Sequence, residues 1–188
     1  MALSTSTTIS APGQTIDRDA ILNPLRVASN RYGETNDCTV LALAAAGNVT
    51  YEEAHAALKK HGRKNRKGPK AQTVIVNGQR HVGCHAFQEA CRELGIGFRV
   101  MASEEFDAKT MTTAERDRKL SNGRFVAYVR GHVAAIVDGT VVDWTQGRRH
   151  RIRSVWQLTP AERKQRQENH EPVAMKRMRR FEQQAMFV

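Results

Sequence analysis

A β-hairpin signal in residues 130–144, R-G-H-V-A-A-I-V-D-G-T-V-V-D-W, constrains the fold more than any other part of the sequence. Asp138-Gly139 separates two segments rich in β-branched and apolar residues, and this dipeptide is the strongest short-range indication of a tight hairpin turn. A two-residue loop makes Val137 face Thr140, which fixes every other pair along the two strands. The sequence therefore predicts both the hairpin and its register.

This register decides which polar side chains of the hairpin meet. Ala134 faces Asp143, and His132 faces Thr145, so that all four side chains point to the same face of the sheet. His132 and Asp143 become diagonal neighbours, with Cα atoms about 7–8 Å apart. A slip of one residue would move Asp143 to the opposite face. We therefore expect an imidazole beside a carboxylate on this sheet.

The remaining patterns place helices first and antiparallel strands later, which is typical of an α+β domain. We predict N-terminal helices packed on one face of a small antiparallel sheet, after a disordered arm at residues 1–16. The domain itself is expected at residues 17–157, followed by a basic helical segment at 158–188. Helices are expected at 17–30, 37–46, 50–61, 84–94 and 112–120, and strands at 72–76, 79–82, 98–101, 124–130, 132–137 and 140–144.

Cys38 lies at the start of the helix predicted at residues 37–46, whose sequence D-C-T-V-L-A-L-A-A-A is apolar on all sides and so predicts a central, buried helix. Asn36 and Asp37 supply helix-capping side chains before it. The free N–H groups and the dipole of a helix N-terminus lower the pKa of a thiol placed there. A nucleophilic thiol also needs a base, and the base needs an orienting group, which His132 and Asp143 could supply.

Two segments resemble papain-like cysteine peptidases. N-D-C-T-V at residues 36–40, followed by Y-E-E-A at 51–54, resembles the start of these domains, and residues 130–144 resemble their His strand, hairpin and Asp strand. The chain looks most like small domains encoded by tailed bacteriophages, related in fold to the bacteriocin-leader-processing peptidases. The resemblance covers about residues 30–144. It implies a papain-like fold with Cys38 as nucleophile, His132 as general base and Asp143 as orienting group.

The sequence departs from the papain pattern around the cysteine. Papain-type enzymes carry an oxyanion-hole glutamine six residues before the nucleophile, and Tyr32 occupies that place here. Asn36 and the Tyr32 hydroxyl are the oxyanion-hole candidates beside the Cys38 N–H. Thr39 also follows the cysteine where a glycine or serine is usual. Loss of one oxyanion donor costs about 10²–10³ in rate, so a weakly active or inactive scaffold stays open as an alternative.

Three cysteines in a chain without a recognisable signal peptide argue against a disulfide framework. Cys84-His85, with His81 and Cys91 nearby, does not have the spacing of a zinc site. We therefore expect no metal and no cofactor. The absence of long apolar runs also predicts no membrane span, and we expect the protein in the cytoplasm of a host cell or inside a virion.

The formal net charge is +11, and it is concentrated in two regions. Residues 59–70 hold seven Lys/Arg and no acid, and residues 148–188 hold eleven Lys/Arg against four Glu. Such blocks indicate binding of nucleic acid or another polyanion, or a solvated surface. The polyanion-binding candidates are Lys59, Lys60, Arg63, Lys64, Arg66, Lys67, Arg148, Arg149, Arg177, Arg179 and Arg180.

Two functions follow as alternatives from these observations. The first is a thiol hydrolase, of peptidase or amidase type, that acts on a peptide or a peptidoglycan-like acyl substrate. The second is a basic nucleic-acid-binding or virion structural protein built on a peptidase-like scaffold. A protein partner could also dock on the amphipathic C-terminal segment, where Met175, Met178, Phe181 and Met186 are interspersed with arginines.

Overall fold

A computed structural model describes residues 16–64, 72–76, 78–144 and 149–160 of the chain. Within these ranges the helices are α1 (Arg18–Tyr32), α2 (Cys38–Gly47), α3 (Tyr51–Lys60), α4 (His85–Glu93) and α5 (Met111–Ala114). The strands are β1 (Gln72–Val76), β2 (Gln79–Gly83), β3 (Gly97–Val100), β4 (Arg124–Val129), β5 (His132–Val137), β6 (Thr140–Val142) and β7 (Ile152–Thr159). Four helices precede the main sheet, and the predicted α+β class is confirmed.

The strands form two antiparallel sheets. β1 and β2 make a hairpin, and the other five strands form a sheet in the order β3-β7-β4-β5-β6. In the β5–β6 hairpin, Val137 pairs with Thr140 and Ala135 with Val142, which confirms the predicted register. Asp138 and Gly139 both have positive φ, 44° and 80°, as a two-residue turn of this hand requires.

α2 is the central helix of the fold, as its sequence predicts. Every residue from Thr39 to Gly47 is buried, because α1, α3 and α4 surround the helix and the sheet lies on its remaining side. A Cβ on Gly47 would come within 2.7 Å of the Ile96 Cδ1 atom, so a larger residue there would require the Ile96 side chain to shift. α3 begins with the predicted capping box, in which Thr50 and Glu53 bond each other's backbone N–H groups.

The five-stranded sheet is buried on both faces, which differs from the expected covering of one face. One face packs on α2 and α4 through residues such as Tyr128, Ala135 and Trp156. The other face is covered by residues 101–120, which bring Met101, Phe106, Met111 and Leu120 against the sheet. That segment was predicted to contain one helix at residues 112–120. It instead forms the single-turn α5 and a 3₁₀ turn at Arg118–Leu120, because Asp117 caps the second turn by accepting from the Lys119 N–H.

β7 was not predicted, and it corrects the expected start of the C-terminal helix at residue 158. Leu158 and Thr159 are the last residues of this strand, which lies between β3 and β4. Ser154 and Trp156 also donate to the Val82 carbonyl, at 2.5 and 2.9 Å, and so fasten β2 to the main sheet. The predicted helix beyond residue 160 and the predicted arm before residue 16 lie outside the described residues.

No helix in the described ranges is both long and apolar enough to cross a membrane.

Candidate active site

Cys38 is the first residue of α2, and its side chain is half-buried. It lines the same cleft as His132, and the Thr39 hydroxyl lies 4.0 Å from its sulfur. Burial acts to raise the pKa of this thiol, but the hydrogen bonds and the charge of His132 outweigh it and lower the pKa below its usual range. The site therefore favours a thiolate on Cys38.

His132 connects Cys38 to Asp143. It is the first residue of β5, and its Nε2 lies 2.9 Å from both carboxylate oxygens of Asp143, which directly follows β6. The other ring nitrogen, Nδ1, is thereby left for Cys38. Burial acts to lower the pKa of His132, but the hydrogen bonds and charges of Asp143 and Cys38 raise it to about 9. The predicted His–Asp pair is present, and it favours an imidazolium.

Trp144 covers the His132–Asp143 pair on one side. Its ring meets that of His132 edge-on, with centroids 5.8 Å apart, and its backbone N–H donates to Asp143 at 2.8 Å. Trp144 itself is half-exposed and forms part of a cleft of about 290 Å³. The residues that line this cleft are Thr35, Asn36, Asp37, Cys38, Arg130, Gly131, His132, Trp144 and His150.

Asp37 anchors the residue just before Cys38, and its position corrects the expected capping interaction. Its side chain forms no hydrogen bond with the helix N-terminus. It turns into the protein instead, where the hydroxyls of Ser29 and Tyr51 both donate to Oδ2, the second at 3.0 Å. Helix α1 and helix α3 thereby hold the start of α2. Burial raises the pKa of the Tyr51 phenol, so this hydroxyl stays a donor.

A second buried network holds the same loop through Glu34. Arg63 donates to both Glu34 oxygens at 3.0 Å, and His55 lies 2.9 Å from one of them. Arg63 also reaches the Asn36 carbonyl at 3.4 Å. Its inclusion among the polyanion-binding candidates is therefore wrong, because its side chain is 0% exposed and paired with a 3% exposed carboxylate. The surrounding lysines and arginines indicated an exposed basic loop, and nothing in the sequence indicated that Glu34 is the partner of Arg63.

The two oxyanion-hole candidates occupy different places. Asn36 lines the cleft beside Cys38. Tyr32 does not, because its ring packs against those of Tyr51 and His55, with centroids 5.5 and 4.6 Å away. The structure thus brings Asn36 to the candidate site and directs Tyr32 to the surface of α3. His150, which sequence reasoning missed, also lines the cleft, and its ring centroid is 6.0 Å from that of His132.

The other polyanion-binding candidates in the described ranges lie at the surface. Lys59, Lys60, Lys64 and Arg149 are exposed, and Lys60 pairs with Glu93 at 3.1 Å. Arg66, Lys67, Arg148, Arg177, Arg179 and Arg180 lie outside the described residues. Nucleic-acid binding by these segments stays a prediction.

Cys84 and Cys91 differ from Cys38 in their surroundings. Both are buried, and burial raises the pKa of Cys84 and raises that of Cys91 to about 12. These two thiols are therefore protonated at neutral pH. No cluster of three His, Cys, Asp or Glu side chains suited to a metal ion occurs in the described part of the chain.

Comparisons with known proteins found no family model, no curated protein and no solved structure that matches this chain.

Proposed function

We propose that this protein is a papain-like thiol hydrolase that uses Cys38, His132 and Asp143 on a peptide or other acyl substrate. One observation carries the proposal: His132 lines the same cleft as the helix-terminal thiol of Cys38 and is hydrogen-bonded, through Nε2, to a buried carboxylate. Nucleophile, base and orienting group in this sequence of contacts are what covalent acyl transfer needs. The position of the thiol at the start of a central helix, with His132 and Asp143 on adjacent strands, supports a papain-like arrangement.

The proposed reaction begins when the Cys38 thiolate attacks the carbonyl carbon and forms a C–S bond. The carbonyl oxygen becomes an oxyanion, for which the Cys38 N–H and the Asn36 side chain are the candidate donors. The His132 imidazolium then gives its proton to the leaving nitrogen as the C–N bond breaks, which leaves a thioester. Water attacks this thioester, His132 takes the proton of the water, and the Cys38 thiolate is released with the carboxylic acid product.

Asp143 acts on this reaction through His132. Its carboxylate accepts from Nε2, so it keeps Nδ1 directed at the sulfur and stabilises the imidazolium. Trp144 shields this hydrogen bond from water on one side, and electrostatic interactions are stronger where water is excluded. The thiolate–imidazolium pair is therefore the resting form that we propose.

The test is acylation and alkylation of the native protein at neutral pH, mapped to individual cysteines by mass spectrometry. With iodoacetamide, and with p-nitrophenyl acetate as a minimal acyl donor, we expect adducts on Cys38 and not on Cys84 or Cys91. Cys38→Ser should remove both adducts, whereas the matched control Cys84→Ser/Cys91→Ser should retain them. Modification of Cys84 or Cys91 with Cys38 unmodified would overturn the proposal.

A further inference from the structure

The cleft at Cys38 continues into a second cleft of about 200 Å³. The two clefts share Thr35, Asp37 and Trp144, so that together they extend past the proposed nucleophile. Arg130 lines the first cleft and Arg26 lines the second. A substrate bound across Cys38 would therefore lie near both arginines.

These two arginines are available to a ligand. Both are exposed, and neither forms an ion pair with any residue in the described ranges. Arg63 provides the contrast, because its guanidinium is buried and donates to both carboxylate oxygens of Glu34. An exposed, unpaired guanidinium in a cleft can bind a carboxylate through two parallel hydrogen bonds.

Negative charge in the two clefts does not offset the arginines. Asp37 is the one acidic residue that lines either cleft within the described ranges, and its carboxylate is buried and accepts from Ser29 and Tyr51. Asp143 is paired with His132. The surface that meets the substrate is therefore cationic.

We infer that the acyl substrate is an acidic peptide, with a carboxylate side chain next to the bond that Cys38 attacks, bound by Arg130 and Arg26. This inference rests on the proposed function, because it assigns the substrate class of the same site. A cationic cleft raises the local concentration of anionic ligands and repels cationic ones. A neutral peptide would gain neither guanidinium contact.

Two alkylating reagents that differ in charge test this inference without knowledge of the substrate sequence. Iodoacetate and iodoacetamide both form an S–C bond with a thiolate and release iodide, but only the first is an anion. The measurement is the ratio of their rate constants at Cys38 in the Cys84→Ser/Cys91→Ser background, divided by the same ratio for N-acetylcysteinamide. We expect this normalised ratio to be about tenfold above one at low salt, and to fall as salt screens the charges.

Single variants distinguish the contribution of each arginine to this ratio from the contribution of the His132 charge. Arg130→Gln and Arg26→Gln should each lower the ratio by about threefold, the effect of one unit charge some 7 Å away in water. Arg116→Gln is the matched control, because Arg116 is exposed and lines neither cleft. It removes the same charge and should leave the ratio unchanged.

The outcomes distinguish this inference from the proposed function. A ratio that neither Arg130→Gln nor Arg26→Gln lowers, while Cys38 still reacts, overturns the inference and leaves the proposed function in place. A Cys38 that reacts with neither reagent overturns the proposed function, and the inference with it.

Discussion

Replacing Arg63 with methionine tests whether the Glu34–Arg63 ion pair holds the loop that precedes Cys38. Both side chains are almost completely buried, and two hydrogen bonds of 3.0 Å join them. Methionine keeps much of the apolar stem of arginine but removes the guanidinium. The Glu34 carboxylate then stays buried without its main counter-charge. The folded state therefore bears the cost of removing this charge from water, which the unfolded state does not.

The expected decrease in the free energy of unfolding of Arg63→Met follows from this burial. Removing one partner of a buried ion pair destabilises proteins by about 3–5 kcal/mol, a large part of the roughly 5–15 kcal/mol that holds a typical domain together. Lys60→Met is the matched control three positions earlier in the chain, because Lys60 pairs with Glu93 at 3.1 Å but its side chain is 67% exposed. A surface pair contributes about 0–1 kcal/mol.

Urea unfolding followed by tryptophan fluorescence measures the free energy of unfolding for each variant. The double variant Glu34→Leu/Arg63→Met removes both charges, and it should recover part of the loss because no unpaired charge stays buried. Equal small losses for Arg63→Met and Lys60→Met would refute the reasoning. A double variant that is less stable than Arg63→Met would show that packing, and not charge, accounts for the effect.

Three further predictions concern the His132–Asp143 pair and its hairpin. Asp143→Asn should lower the rate of Cys38 acylation by p-nitrophenyl acetate by about 10²–10⁴-fold, because the amide no longer orients the imidazole; an unchanged rate would contradict this. Because the pKa of His132 is raised to about 9, turnover of an amide substrate should fall as pH rises through about 9, where the imidazolium loses its proton, whereas alkylation should continue; parallel pH profiles for the two reactions would oppose this. Gly139→Ala should cost about 1–2 kcal/mol in urea unfolding, since φ is +80° and the new Cβ would lie 3.2 Å from the Ser121 Cα; a neutral effect would show that the turn rearranges.

The His132–Asp143 pair could be predicted because its determinants are local in sequence. Asp138-Gly139 fixes the turn, the turn fixes the register, and alternation then decides which side chains share a face. The start of α2 is local as well, because an apolar run begins directly after polar residues. These parts of the site follow from neighbouring residues alone.

The parts that could not be predicted depend on contacts between distant residues. Arg63 lies in a run of basic residues that is typical of an exposed loop, and only its contact with Glu34, 29 positions away, buries it. Asp37 is a good capping residue by composition, but its carboxylate accepts from the Ser29 and Tyr51 hydroxyls instead of from the helix end. Tertiary contacts override local preference in both cases.

β7 was missed for a related reason. Arg153 is exposed, while Ser154, Val155 and Trp156 are buried in succession, so the strand lacks simple alternation. β7 can bury Ser154 in the sheet because the Ser154 hydroxyl donates a hydrogen bond to the Val82 carbonyl. A buried serine of this kind gives no signal in the sequence.

The central claim, that Cys38 is a thiolate paired with His132, is tested most directly by titrating the ultraviolet absorbance of the thiolate. The Cys84→Ser/Cys91→Ser protein leaves Cys38 as the one titrating thiol, so its pKa can be read without overlap from another thiol once the tyrosinate absorbance is subtracted. We expect a pKa below the ordinary value of 9.0, and a return toward that value or above it in His132→Gln. A Cys38 that titrates at 9.0 or higher, and is unaffected by His132→Gln, would contradict the account.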